Sequence, residues 1–172
     1  MAWTFDLSHS EIYFSVRHMM ISKVRGSFPK WTGTVEATDQ GAITSLSVDI
    51  ETASVDTREA QRDAHLRSAD FFESEAFPHM KFRSTGVTGN QEGEFEILGD
   101  LTIRGTTNPV RLTTTFNGTG KDPWGGVRRG YTAKARINRT AFGLVWNAAL
   151  ELGGVLVDEN VDIQLDVEIV QK

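Results

Sequence analysis

Four histidines, His9, His18, His65 and His79, are the side chains here best suited to move protons or hold a metal near neutral pH. A zinc centre needs three or four converging ligands. The chain has no H-E-x-x-H spacing, and Asp63 and His65, two apart on a helix, would diverge by about 200°. The absence of cysteine removes thiolate nucleophiles, disulfides and Cys-bound zinc. There is no G-x-S-x-G elbow, and "WGGVRRG" at 124–130 lacks the spacing and following helix of a phosphate loop. Two of the histidines fall in one segment, "RDAHLRSADFFESEAFPHMKF" from Arg62 to Phe82, together with four phenylalanines and a cluster of charge. Such a segment is either an active site or an apolar closure with a polar rim.

The elements around it decide between the two. "VDIQLDVEIV" puts Val161, Ile163, Leu165, Val167 and Ile169 on one face of a strand and Asp162, Gln164, Asp166 and Glu168 on the other. The same period of two recurs around Phe14, Val35, Val48, Phe82, Leu101, Leu112 and Ala133, which makes eight strands. "GNQEG" at 89–93 and "GTTN" at 105–108 fit hairpin loops, with Pro109 opening the next strand. No helical crossover separates the later strands, so they pair antiparallel.

Eight two-faced strands need one shared interior, which a closed barrel supplies without a bare edge. A two-sheet sandwich is the rival. Gly33, Ala37, Gly99, Thr114, Ala133 and Ala135 on the dry faces either leave room for a slender ligand or mark close strand approach in a solid core. The alternation stops after Thr57. There "REAQRDAHLRS" predicts a short helix near 58–68, capped by Asp56 with Glu59 as its partner, and Asp63 placed to pair with Arg67. Phe71, Phe72 and Phe77 follow before Pro78, and more than twenty non-strand residues fit a lid. "AFGLVWNAALELGG" at 141–154 could close an end in the same way.

The chain of 172 residues is the size of one domain, 1–172, with 39% hydrophobic and 24% charged residues. Its 18 Lys+Arg against 23 Asp+Glu give a net charge of -5, a field that repels nucleic acid. No apolar run is long enough to span a bilayer as a helix. "MAWTFDLSHS" has neither the basic nor the apolar region of a secretory signal, so the expected location is cytoplasmic.

The ordered segments "WTFDLSHSEIYFSVRHMMISKVRGSF", "RDAHLRSADFF", "FPHMKFRS", "GDLTIRGTT" and "INRTAFGL" resemble the YceI-like family of lipocalin-like polyisoprenoid-binding proteins over almost the whole chain. The resemblance implies an all-β fold, an extended eight-stranded antiparallel barrel with a helix between strands. It implies binding, storage or transport of a polyisoprenoid, such as a polyprenyl pyrophosphate or an isoprenoid-quinone precursor, in an elongated apolar channel. It implies a carrier or store rather than an enzyme, and with the histidine spacing above the expectation is no cofactor, no metal and no catalytic residue. Many family members are periplasmic. The family often has an acidic residue before the Phe-Gly of the last motif, where this chain has Ala141.

On this reading Phe14, Val16, Val35, Leu46, Val48, Phe82, Leu101, Leu112, Phe116, Tyr131 and Ala133 line the channel. His18, Arg25, Arg62, Arg104 and Arg139 are candidates to meet a head group at the mouth, and Leu66, Phe71, Phe72 and Phe77 form the lid. A homodimer through free strand edges is a further expectation. The alternatives are a histidine-dependent enzyme, with or without a metal, acting on a bound lipid, and a solid-cored interaction module.

Overall fold

A computed structural model describes residues 2–148, 150 and 156–172. It has ten strands: β1 (Trp3–Phe5), β2 (Glu11–His18), β3 (Ser22–Ser27), β4 (Trp31–Ala37), β5 (Ile43–Glu51), β6 (His79–Gly89), β7 (Glu94–Ile103), β8 (Thr106–Lys121), β9 (Val127–Asn138) and β10 (Val157–Gln171). One helix, α1 (Ala60–Arg67), lies between β5 and β6. All strand pairs are antiparallel, in the order β3-β2-β10-β9-β8-β7-β6-β5-β4, with β1 continuing the line of β2 along β10.

The expected eight strands are all present, and two more join them. β1 is too short to show a period. β3, "SKVRGS", turns only Val24 and Gly26 inward, so it carries almost no apolar alternation. The closure also differs from a fully laddered barrel. β1 and β4 meet through side chains: Phe5 packs edge-on against Trp31 with ring centroids 5.5 Å apart, and Trp3 Nε1–H donates to Thr38 O at 2.9 Å. At the other end of that seam Ser27 pairs with Asp56 in a single antiparallel bridge.

The β7–β8 turn is tighter than expected. Arg104 and Gly105 both take positive φ, 49° and 76°, and Pro109 sits inside β8 opposite Asp100. The helix starts at Glu59, whose carboxylate accepts from Arg62 N–H. Asp56 is drawn instead into its bridge with Ser27, and Asp63 turns away from Arg67 to accept from Thr57 N–H (2.8 Å) and Thr57 Oγ1–H (2.6 Å).

The small residues of the dry faces divide by position. At Gly99 and Gly26 a side chain would collide with the rings of Phe82 and Phe14, so these glycines let aromatic rings lie flat across a neighbouring strand. Gly33 makes room for Phe5 in the same way. Thr114 and Ala133 are buried in solid packing, and Ala135 alone of the six borders open space.

Candidate functional site

Between α1 and the middle of the sheet lies an apolar cavity of about 270 Å³. Its wall is built mainly from the inward positions of β2, β5, β6, β7, β8, β9 and β10, with Val24 of β3. Phe14 and Val16 come from β2, Leu46 and Val48 from β5, Phe82 from β6, Leu101 from β7 and Leu112 from β8, and all of them line the wall. Ala135 and Ile137, two and four residues beyond Ala133 on β9, also face it, as do Ile163 and Leu165 of β10.

Val35, Phe116, Tyr131 and Ala133 do not. They share the inward face but sit at a deeper level, where the interior is full. Arg129 is 5% exposed and sits on that same inward row. Its guanidinium carbon lies 4.1 Å from the Phe116 ring centroid, its Nε–H donates to Tyr131 Oη at 2.9 Å, and its Nη2 pairs with Glu92 at 3.0 Å. Phe95 packs edge-on against Tyr131 at 5.8 Å. This arginine–aromatic cluster blocks the tube and makes the cavity blind.

The opposite end is roofed by the segment that interrupts the strands. Leu66, Phe71 and Phe72 line the cavity, and Phe72 packs edge-on against Phe28 at 5.7 Å. Trp146, from the loop after β9, joins Phe71 and His65. The His65 ring is 4.6 Å from Trp146 and 5.1 Å from Phe71, both edge-on, and His65 Nε2 is 2.8 Å from Asp70 Oδ2. Phe77 lies outside this roof, against the β7–β8 turn at Gly105. Of the 141–154 segment, Leu144 and Trp146 line the cavity, while 149 and 151–154 lie outside the described residues.

Three of the five polar candidates meet at the roofed end. His18, Arg62 and Arg139 line the cavity there. Arg139 is 5% exposed, and it donates to the carbonyls of Asp158 (2.8 Å), Leu144 (2.7 Å), Trp146 (2.9 Å) and Val157 (3.2 Å). Those bonds fix the loop that carries Trp146. Burial depresses the guanidinium's pKa, and no carboxylate pairs with it among the described residues. Arg62 holds Thr57 through Nε–H and Nη2–H, both at 2.8 Å, and its Nη1 has no partner among the described residues. His18 has no side-chain partner among the described residues.

Arg25 and Arg104 stand elsewhere. Arg25 is on the outer face of β3, one residue out of phase with Val24. Arg104 props the lid from beneath, bonding Phe71 O at 3.2 Å and Glu73 Oε2 at 3.1 Å. Among the described residues no three His, Asp or Glu side chains converge as a metal site. No helix among them is long and apolar enough to cross a membrane.

Residues 3–169 match the model of the YceI-like domain, and the chain belongs to that family. A UPF0312 protein of Vibrio cholerae serotype O1 is 36% identical over 166 residues, covering 96% of this chain and 84% of the relative. The crystal structure of Burkholderia cenocepacia BcnA superposes with a TM-score of 0.81 at 20% identity, over 95% of this chain and 98% of that one. A polyisoprenoid binding domain from Saccharophagus degradans, implicated in plant cell wall breakdown, superposes with a TM-score of 0.68 at 12% identity and 98% coverage of both chains.

Proposed function

We propose that this protein binds, stores or carries a polyisoprenoid or a similar long-tailed amphiphile, with the tail in the blind cavity and the head group at the end formed by His18, Arg62 and Arg139. A polyprenyl pyrophosphate and an isoprenoid-quinone precursor are the ligands of this class that we favour. The observation that carries the reading is the wall itself. It is built almost wholly of apolar side chains, and His18, Arg62 and Arg139 meet it beside the segment that roofs it. A tail entering it gains ~0.8 kcal/mol per buried methylene without needing polar contacts. Arg62 Nη1, which has no partner among the described residues, and the His18 imidazole are donors for an anionic head. The Saccharophagus degradans neighbour, whose fold this chain shares, supports the tail's chemical class. Binding of this kind needs no bond-making step, and release follows movement of the α1 segment.

Trp146 is a built-in reporter. It is the tryptophan on the cavity wall, whereas Trp3 and Trp31 lie in the closed seam and Trp124 is exposed. Adding a polyprenyl pyrophosphate is expected to change tryptophan emission to saturation at one ligand per chain, and Trp146→Phe to remove that change. An emission spectrum that stays constant in a protein shown folded by circular dichroism counts against the reading.

A further inference from the structure

The β2–β3 hairpin ends in "MMIS", where Met19 and Met20 take φ of 54° and 62°. A turn of that kind favours Asn and Gly, and unbranched apolar residues there carry backbone strain. Ile21 beside them is 82% exposed. Turn chemistry and core packing both fail to account for three apolar residues in this place. A second exposed apolar residue, Val145 at 65%, lies between Leu144 and Trp146 of the cavity wall. The two features flank one another. Met19 N–H donates to Leu156 O at 2.7 Å, while Asn147 clamps the adjacent Val157 from the other side, donating to its carbonyl at 2.7 Å and accepting from its N–H at 3.1 Å. His18, Leu156 and Val157 between them line the cavity. The exposed apolar residues therefore surround the end through which a tail would pass.

Charge on the same hairpin has one sign. From Ile12 to Val35 the sequence holds Arg17, Lys23, Arg25 and Lys30 and no Asp or Glu, in a chain of net charge -5. Arg17 and Lys23 are exposed and directly opposite in the ladder, a like-charge pair that is unfavourable on its own. Asp162, the carboxylate that feels Lys23, is already bound by Arg136 Nε–H at 2.8 Å. An apolar tip flanked by cations is the pattern of a segment that seats on an anionic lipid surface.

We propose that the β2–β3 hairpin tip and the loop at Val145 dock on an anionic lipid bilayer, Ile21 and Val145 entering the apolar layer while Arg17, Lys23 and Arg25 meet the phosphates. The inference rests on the cavity being a site for a lipid tail, because docking there brings the polar end of the cavity to the membrane. The test is flotation of the purified protein with vesicles of phosphatidylcholine and phosphatidylglycerol in equal parts, at low ionic strength. The wild-type protein is expected to float. Ile21→Asp, at a position open to solvent and off the cavity wall, is expected to weaken vesicle binding by about tenfold or more. Lys23→Gln is expected to weaken it about fivefold, and to have no effect with phosphatidylcholine alone. A wild-type protein that stays with the soluble fraction, or an Ile21→Asp variant that floats equally well, overturns the proposal and leaves a protein partner or a second copy as the occupant. A parallel titration with a polyprenyl pyrophosphate in vesicle-free buffer separates the two readings. Flotation that depends on Ile21 without uptake of the tail sustains the docking surface and refutes the carrier. Uptake without flotation does the reverse.

Discussion

Ala133 and Ala135 are two residues apart on β9, both turned inward, and the structure gives them opposite roles. Ala135 borders the cavity, whereas Ala133 is 6% exposed in solid packing opposite Leu165 and Thr114. An empty apolar cavity costs roughly 24 cal/mol per Å³, so the 270 Å³ at this site leaves on the order of 6 kcal/mol unrealised in the ligand-free protein. A phenylalanine at position 135 fills part of it. The ring displaces about three or four methylenes of tail, which at ~0.8 kcal/mol each removes about 3 kcal/mol of binding. That is on the order of a hundredfold in Kd. The same ring recovers part of the cavity cost, so the ligand-free Tm of Ala135→Phe is expected to rise by a few degrees, at about 2–4 °C per kcal/mol. Ala133→Phe instead overpacks a full core and is expected to cost ~1–3 kcal/mol, lowering the Tm by roughly 2–12 °C. Calorimetry of both variants, with titration of a polyprenyl ligand into each, checks the pair. Equal effects at the two positions, or full tail binding by Ala135→Phe, would refute the assignment of the cavity wall.

Three other outcomes follow from the geometry. Arg129→Ala removes the plug between Phe116, Tyr131 and Glu92. It is expected to lower stability by about 2–4 kcal/mol in urea unfolding, the exposed Glu92 softening the loss expected of a buried pair. Asp6 is held well below the ordinary carboxylate range by its hydrogen bond from Ser8, against the cost of desolvation, and then by Arg128 and His9. The folded state binds fewer protons than the unfolded one there, so this stability is present above about pH 4 and is lost as pH falls towards the folded pKa. Asp6→Asn should therefore flatten the acid limb of a stability–pH curve while lowering its neutral plateau. Arg139→Leu leaves the carbonyls of Leu144, Trp146, Asp158 and Val157 without their donor. It is expected to loosen the loop that carries Trp146, seen as faster amide hydrogen exchange at 144–146 than in the wild type.

The period of two on β10, β9 and β7 was enough to read an antiparallel β-fold with one interior from the chain. β1 and β3 were hidden because a strand of three residues, and one whose inward positions include a glycine, carry no periodic signal. The periodicity also tells which face a side chain uses but not how far along the barrel it sits. That is why Phe14, Leu46, Val48 and Leu101 fall on the cavity while Tyr131 and Phe116, on the same inner face, fill the floor. One signal for the floor was present: Arg129 shares the inward phase of Tyr131, Ala133 and Ala135, and a cation in an otherwise apolar row marks where the tube stops. Trp146 and His65 reach the cavity from non-strand segments, and no local pattern announces that meeting. Arg104 looked like a mouth residue by its charge alone, but its positive φ at a hairpin turn ties it to the underside of the lid.

The central claim is that the cavity holds one isoprenoid-like tail per chain. Native mass spectrometry of the purified protein, with organic extraction of whatever is released and polyprenyl compounds then added to the same sample, tests it most directly. The account predicts a mass increment of one long-tailed amphiphile per chain, either on isolation or after addition, and its disappearance in Ala135→Phe. A mass that stays that of the bare polypeptide after polyprenyl compounds are added would contradict it.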